Sequence, residues 1–336
     1  MTDVTQYVSH NHMDFVIKGV CQNFINILVI AFSLALLAGV AWGCGSAAEA
    51  PTSTQYIPVP RAQTLVLGDI DAEEPVKKIE RFQPLADYLA AELGIHGMRE
   101  GRVRIARDID EMGLFMANGD VDVFFDSTFP SLAVRDIAGS NIILRRWKEG
   151  NPEIWSMFVA RKDSGLDSVD DLIGKIVAVE EPFSTSGFLL PVAALVQRGL
   201  TATQVSSIDG PIGRDEIGYY FSGDEENTVE LVLRGTVAAG ALSNEDFDAL
   251  PVEVMDQMTV FGQTARVPRQ LVSARADLGD GILDEITALL TGLQETEEGR
   301  SLLAGLKNTT KFDAVPADAA GQLLKLKHMM DLLKQR

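Results

Sequence analysis

Cysteine is nearly missing. The 336-residue chain holds two, Cys21 and Cys44, both near its N-terminus. Everything beyond Cys44 therefore has no disulfide, no thiolate nucleophile and no thiolate metal site. Histidine is almost as scarce: of four in all, only His96 and His328 lie beyond that region, each in a polar, helix-associated segment. No Ser–His–Asp arrangement is visible. No group of His, Cys and carboxylates has metal-ligand spacing, and no Gly-rich turn ends in the Lys of a nucleotide-binding loop. Neither catalysis nor a cofactor is expected. Positive charge is also short: 29 Lys and Arg face 48 Asp and Glu, for a net charge of −19. That disfavours nucleic acid, whose phosphate backbone needs a basic surface. It does not exclude a small anion held by local donors, because a distant field is screened beyond about 10 Å.

Hydrophobic residues are plentiful at 46%, and they are unevenly spread. Residues 20–48 carry no charge, and 27–42 are almost wholly apolar with Lys18 just ahead. This pattern is an export signal over 1–43: a positive start, an apolar run, then small residues. Ala41-Trp42-Gly43-Cys44 resembles a lipobox, in which Cys44 is lipidated and becomes the mature N-terminus. Cleavage after Ala48-Glu49-Ala50 is open as well, and so is retention of the segment as an anchor, although it falls short of the roughly 20 apolar residues of a full span. The small, polar, Pro-containing stretch 44–62 is expected to be a flexible tether. The expected location is outside the cytoplasm, periplasmic or at the cell surface, with Cys44 as the lipid attachment in the first reading.

From residue 63 onward, strand-like and helix-like segments alternate, the mark of an α/β fold. Residues 64–70 read as a first strand, and the apolar spacing that follows predicts a helix with a kink at Pro84. Residues 121–125 read as a buried strand with Asp126-Ser127-Thr128 at its carboxyl end. Residues 237–242 read as another, ending in Ser243 and Asn244. In open α/β sheets, ligands sit outside the carboxyl ends of the strands. The organisation expected is a first lobe over 63–160, a second over 161–258, and a return crossover with C-terminal helices completing the first lobe over 259–336.

One segment stands out. Phe183-Ser184-Thr185-Ser186-Gly187-Phe188 follows the apolar strand Lys175-Ile176-Val177-Ala178-Val179-Glu180-Glu181 and opens a helix. The first-turn N–H groups of a helix lack internal acceptors and its dipole favours negative charge there. Three hydroxyls add donors without adding charge. An ordinary Ser or Thr N-cap would read the same way.

The order of motifs resembles the phosphonate-binding proteins of ABC importers, whose members are described as phosphate, phosphite or phosphonate binders. The resemblance rests on Ser164-Gly165-Leu166, Ser168-Val169-Asp170-Asp171-Leu172-Ile173-Gly174-Lys175, the Ser184–Gly187 turn, and Val121-Asp122-Val123-Phe124-Phe125-Asp126-Ser127. Phe221-Ser222-Gly223, Arg234-Gly235, Ala238-Ala239-Gly240-Ala241 and Glu298-Gly299-Arg300 extend it. It implies a type II periplasmic binding protein fold: two α/β lobes joined by two crossover strands, here near 155–161 and 269–276, with the ligand between them. It implies that Ser184, Thr185, Ser186 and Gly187 hold the oxyanion, with Asp126, Ser127 and Thr128 as the opposing wall. It also implies an ABC permease as partner, a monomer, and hinge closure on the ligand. A membrane-tethered anion sensor feeding a signalling partner is the alternative, and an enzyme on the same fold a more distant one.

The chain departs from the family at Gly223-Asp224-Glu225-Glu226, where relatives often carry Gly-Ser-His-Asp, and at Asp126, where many carry an aromatic or small residue. Both departures place acid near an anion site, which points to a protonated oxyanion or a ligand bearing a cationic amine. Asp126 can accept from a ligand O–H or N–H, or cap the following helix. Glu181 can meet an amine or stay solvated. Tyr219, with Trp147 and Trp155, can line the cleft or pack in the core. Ser243 and Asn244 are candidates for contact. Of Arg145 and Arg146, alternation on the strand lets at most one reach the cleft.

Overall fold

The computed structural model describes residues 61–334 apart from Glu73. The expected signal over 1–43, the tether up to Pro60 and both cysteines, including Cys44, lie outside these residues. Arg61 already belongs to the fold: its guanidinium donates to the Thr64 carbonyl at 2.6 Å and pairs with buried Asp122 at 3.0 Å.

β1 (Thr64–Ile70) is buried along its whole length, as a central strand covered on both faces must be. It pairs in parallel with β2 (Glu100–Ala106) and β3 (Val123–Ser127). After β4 (Asn141–Arg146) and the short β5 (Glu153–Ile154), the chain builds a second sheet. That sheet holds β6 (Ser156–Arg161), β7 (Ile176–Val179), β8 (Thr201–Gln204), β9 (Glu216–Phe221), β10 (Ala239–Ser243) and β11 (Met258–Gln263). The chain returns through β12 (Val267–Pro268), and β13 (Gln270–Ala274) and β14 (Phe312–Asp313) complete the first sheet. The two six-stranded orders are β14-β4-β13-β3-β1-β2 and β11-β6-β10-β7-β9-β8.

β6 and β13 run antiparallel to their neighbours for one reason. The parallel strands end at the gap between the lobes, whereas a strand that has just crossed the gap begins there. Ser156 accordingly pairs with Ser243, and Gln270 with Ser127. The crossing itself is a two-stranded ribbon in which Ile154 faces Val267 and Glu153 faces Pro268. The crossover strands expected near 155–161 and 269–276 are therefore sheet members, and the crossing is shorter and lies just ahead of each. The divisions expected at 160/161 and 258/259 likewise fall inside or at the edge of β6 and β11, both of which belong to the second sheet.

The Pro75–Glu92 helix continues through Pro84 and buries Phe82, Leu85 and Leu89. It lies so close to β2 that a Cβ on Gly101 would sit 2.1 Å from the Ala86 carbonyl oxygen. The C-terminal helix Ala317–Lys334 is not confined to the first lobe. Its Leu323, Leu326, Met329 and Met330 share one core with Leu132 and Ala133 of the first lobe, Leu189, Leu190 and Ala193 of the second, and Ile154 and Val267 of the ribbon. Each buried Leu, Ile, Val or Met side chain there contributes about 1.5–3 kcal/mol. No helix among the described residues is long and apolar enough to cross a membrane.

Candidate functional site

The carboxyl ends of β1, β3, β7 and β10 meet at a cleft of about 470 Å³ between the lobes. Ile70 and Asp71 follow from β1, Asp126 and Ser127 from β3, Glu180 and Glu181 from β7, and Ser243 from β10. Phe183, Ser184, Thr185 and Ser186 supply the second lobe's wall.

The helix tip is built from a cap that has a second task. Ser184 Oγ accepts from the Gly187 N–H at 2.9 Å and donates to Glu180 Oε2 at 2.7 Å. The turn after it, Thr185–Leu189, is one wide π-turn leading into the Leu190–Gln197 helix. Thr185 reaches across the gap: its Oγ1 accepts from the Phe129 N–H at 2.8 Å and donates to Ser127 Oγ at 2.9 Å. The Ser186 carbonyl accepts from Ser156 Oγ, which holds the tip against β6. The Thr185 hydroxyl thus ties the tip of one helix to the start of another, Thr128–Ala138, in the opposite lobe.

The cleft is rich in carboxyl groups whose protons are held tightly. Glu180 is pushed up to about 8, first by burial, with the hydrogen bond from Ser184 opposing and Asp246, Glu225 and Glu181 adding repulsion. Its Oε1 is buried with no hydrogen-bond partner. Asp126 is pushed up to about 7 by burial and then by the Asp69 carboxylate, against the pull of Lys78 and the Ser127 N–H. Asp69 is itself raised by burial, although Lys78 pairs with it at 2.9 Å. A carboxyl that keeps its proton near neutrality is a donor, so these acids can hydrogen-bond an anion rather than repel it. Among the described residues no three His, Cys, Asp or Glu side chains are grouped to hold a metal ion.

Cations enter where the sequence showed no motif. Lys78, Lys148 and Arg269 line the cleft. Arg269 pairs with Glu149 at 3.1 Å and with Glu245, joining the ribbon to both lobes. Lys148 is pushed down to about 8 by burial and by the charges of Arg269 and Arg146. The rule that ligands gather beyond strand ends could have flagged Lys148, two residues after β4. Nothing local marks Lys78, which lies on a helix and reaches the site by packing.

Several expected residues turn away from the cleft. Thr128 is fully buried, and its hydroxyl donates to the Pro268 carbonyl, tying the helix start to the ribbon. Asn244 is buried and its side-chain oxygen accepts from the Trp155 N–H at 3.1 Å. Tyr219 packs its ring 5.6 Å from Phe188 and 5.7 Å from Phe221 in the second lobe's core. Gly187 lies beneath Glu180, where a Cβ would be 2.1 Å from the carboxyl carbon. Arg145 pairs with Asp313 at 2.9 Å, while Arg146 donates to Thr309, Gln270 and the Leu306 carbonyl at the first lobe's edge of the site. Trp155 stacks under Arg266, and Trp147 under Lys311.

The model of the family described as "ABC transporter, phosphonate, periplasmic substrate-binding protein" matches residues 68–320. The phosphate-import protein PhnD of Mycolicibacterium smegmatis is 24% identical over 275 residues, covering 77% of this chain and 80% of its own. XAC2383 from Xanthomonas citri, solved bound to ATP, is 25% identical with a TM-score of 0.76, covering 81% of this chain and 98% of that one. PhnD1 from Prochlorococcus marinus, solved with methylphosphonate, is 19% identical with a TM-score of 0.58 over 80% of this chain and 99% of that one, and shares the fold. The two lobes, the crossing ribbon and the cleft are those of the type II periplasmic binding fold. The chain belongs to the family of periplasmic phosphonate-binding proteins, which are substrate-binding components of ABC transporters and not enzymes.

Proposed function

We propose that this chain captures a small phosphorus oxyanion (phosphonate, phosphite or phosphate) between its lobes and presents it to an ABC permease. The observation that carries the reading is the Ser184–Ser186 helix tip opening into the cleft with Ser127 across from it. Tip N–H groups and the Ser186 hydroxyl donate to the oxygens, the Ser184 and Thr185 hydroxyls hold the tip in place through Glu180 and Ser127, and Lys78 and Lys148 balance the charge. Protonated Asp126 and Glu180 donate as well, which suits a singly charged, protonated oxyanion, or a ligand whose amine meets these acids once they ionise. The names of its relatives agree in kind: phosphate import, methylphosphonate and ATP all involve tetrahedral phosphorus oxyanions.

Closure would pivot on the β5–β12 ribbon, where two short strands join the lobes. Ligand contacts from both walls favour the closed arrangement, and only that difference in affinity can drive it. The export signal and Cys44 would hold the protein outside the cytoplasm as a lipid-anchored monomer. The test is a thermal-shift panel of phosphate, phosphite, methylphosphonate, aminoethylphosphonate and sulfate. A ligand at about 100 times its Kd should stabilise the protein by roughly 2.7 kcal/mol. Ser184→Ala with Thr185→Ala should abolish the response to the best of them. An unchanged response in that variant would place the anion elsewhere.

A further inference from the structure

We propose that the cleft continues into a second anion subsite in the first lobe, so that the preferred ligand carries two anionic groups, a diphosphate being the simplest. The inference rests on the reading above, since the first group occupies the helix tip. A side pocket of about 220 Å³ adjoins the cleft and shares Asp71, Lys78, Lys148 and Gln270 with it. Its lining inverts the charge of the molecule. Lys77, Lys78, Arg81, Arg146, Lys148 and Lys307 converge there against only Asp69, Asp71 and Glu74, in a chain where acids outnumber bases 48 to 29.

The three acids are already engaged. Glu74 pairs with Lys77, and Asp69 and Asp71 with Lys78 at 2.9 and 3.9 Å. Arg146 is buried and donates to neutral oxygens, those of Thr309, Gln270 and the Leu306 carbonyl, while Asp69, the carboxylate that acts most on its charge, is already paired with Lys78. Arg81, Lys148 and Lys307 pair with no carboxylate among the described residues. Like charges confined together in a half-buried pocket are unfavourable unless an anion joins them. Lys148, lining both spaces, stands at the junction where a bridging oxygen between two anionic groups would pass. Guanidinium groups such as Arg81 and Arg146 match the geometry of phosphate oxygens, which favours a phosphate as the second group.

Calorimetric titration of the unmodified protein with phosphate, methylphosphonate, pyrophosphate, tripolyphosphate and phosphonoacetate tests this. Pyrophosphate or tripolyphosphate should bind at least about tenfold tighter than phosphate, a difference of about 1.4 kcal/mol. Phosphonoacetate separates a phosphate requirement from a general need for a second anion, and tighter binding than phosphate by either class supports the subsite. The double variant Arg81→Met with Lys307→Met, whose residues line the side pocket alone, should lose that advantage while phosphate binding stays within about twofold. Both residues are at least partly exposed, so the variant should melt close to the parent. Retained phosphate binding with no advantage for any ligand carrying two anionic groups overturns the second subsite alone, as does an advantage that survives the double variant. Failure of every phosphorus oxyanion to bind overturns both the subsite and the reading it rests on.

Discussion

Replacing Glu180 by Gln should change how stability and binding depend on pH more than it changes either at low pH. The side chain keeps its shape, and its amide oxygen can still accept from Ser184, but the titration is gone. In the folded protein this carboxyl is raised from 4.5 to about 8, chiefly by burial. At about 1.4 kcal/mol per pH unit, the ionised form is penalised by roughly 5 kcal/mol once both states have lost the proton. Across 4.5–8 the folded state binds the proton and the unfolded state does not. Stability therefore falls as pH rises through that window, and the penalty is absent below it. Asp126 contributes in the same direction between 3.8 and about 7, and Lys148 in the opposite direction above about 8; both are common to parent and variant, so the difference between the two curves isolates Glu180. Denaturant unfolding of the ligand-free protein at about pH 5.5, 7 and 8.5 is the assay. From the lowest to the highest of these, Glu180→Gln should gain about 3 kcal/mol relative to the parent. Oxyanion affinity should follow the same course, because above about 8 an ionised Glu180 faces the ligand's charge. Parallel pH curves for parent and variant would refute the assignment of a buried, proton-bearing Glu180.

The remaining expectations are quickly stated. Ser184→Ala with Thr185→Ala should erase the ligand-induced thermal shift and also loosen the unliganded lobes, since Thr185 alone makes two hydrogen bonds across the gap; calorimetry and small-angle scattering read the two effects separately. Arg81→Met with Lys307→Met should remove a preference for ligands with two anionic groups and spare phosphate. Leu326→Ala, at a position 4% exposed in the core that spans both lobes, should cost about 2–4 kcal/mol in chemical denaturation; a loss under about 0.5 kcal/mol would mean the C-terminal helix is not part of that core. Gly101→Ala drives a Cβ to 2.1 Å from the Ala86 carbonyl oxygen. Backbone on both sides leaves no side chain to swing aside, so about 1–3 kcal/mol of stability should be lost, read as a drop in Tm.

Local order along the chain was enough for the architecture. Apolar runs alternating with helical spacing announce parallel strands and covering helices, because burial on both faces of a sheet leaves no other pattern. Ser184, Thr185 and Ser186 could be read as a helix tip for the same kind of reason: a cap acts on N–H groups within three residues of itself. Ser127 at a strand end and Ser243 at another followed from the place where parallel strands stop.

What required the folded chain were relations between residues far apart in sequence. Thr128 and Tyr219 sit in plausible positions by spacing, yet one hydroxyl is spent on the Pro268 carbonyl and the other ring is spent on Phe188. The protons on Asp126 and Glu180 depend on burial and on Asp69, Asp246 and Glu225, which the two sheets bring together from distant segments. Lys78, Arg81, Lys148 and Lys307 form a positive pocket in an acidic protein only because a helix, a strand end and a late loop converge. Periodicity and caps are short-range and can be read one segment at a time; charge, desolvation and reach act through space, and space is assigned by the packing of the whole.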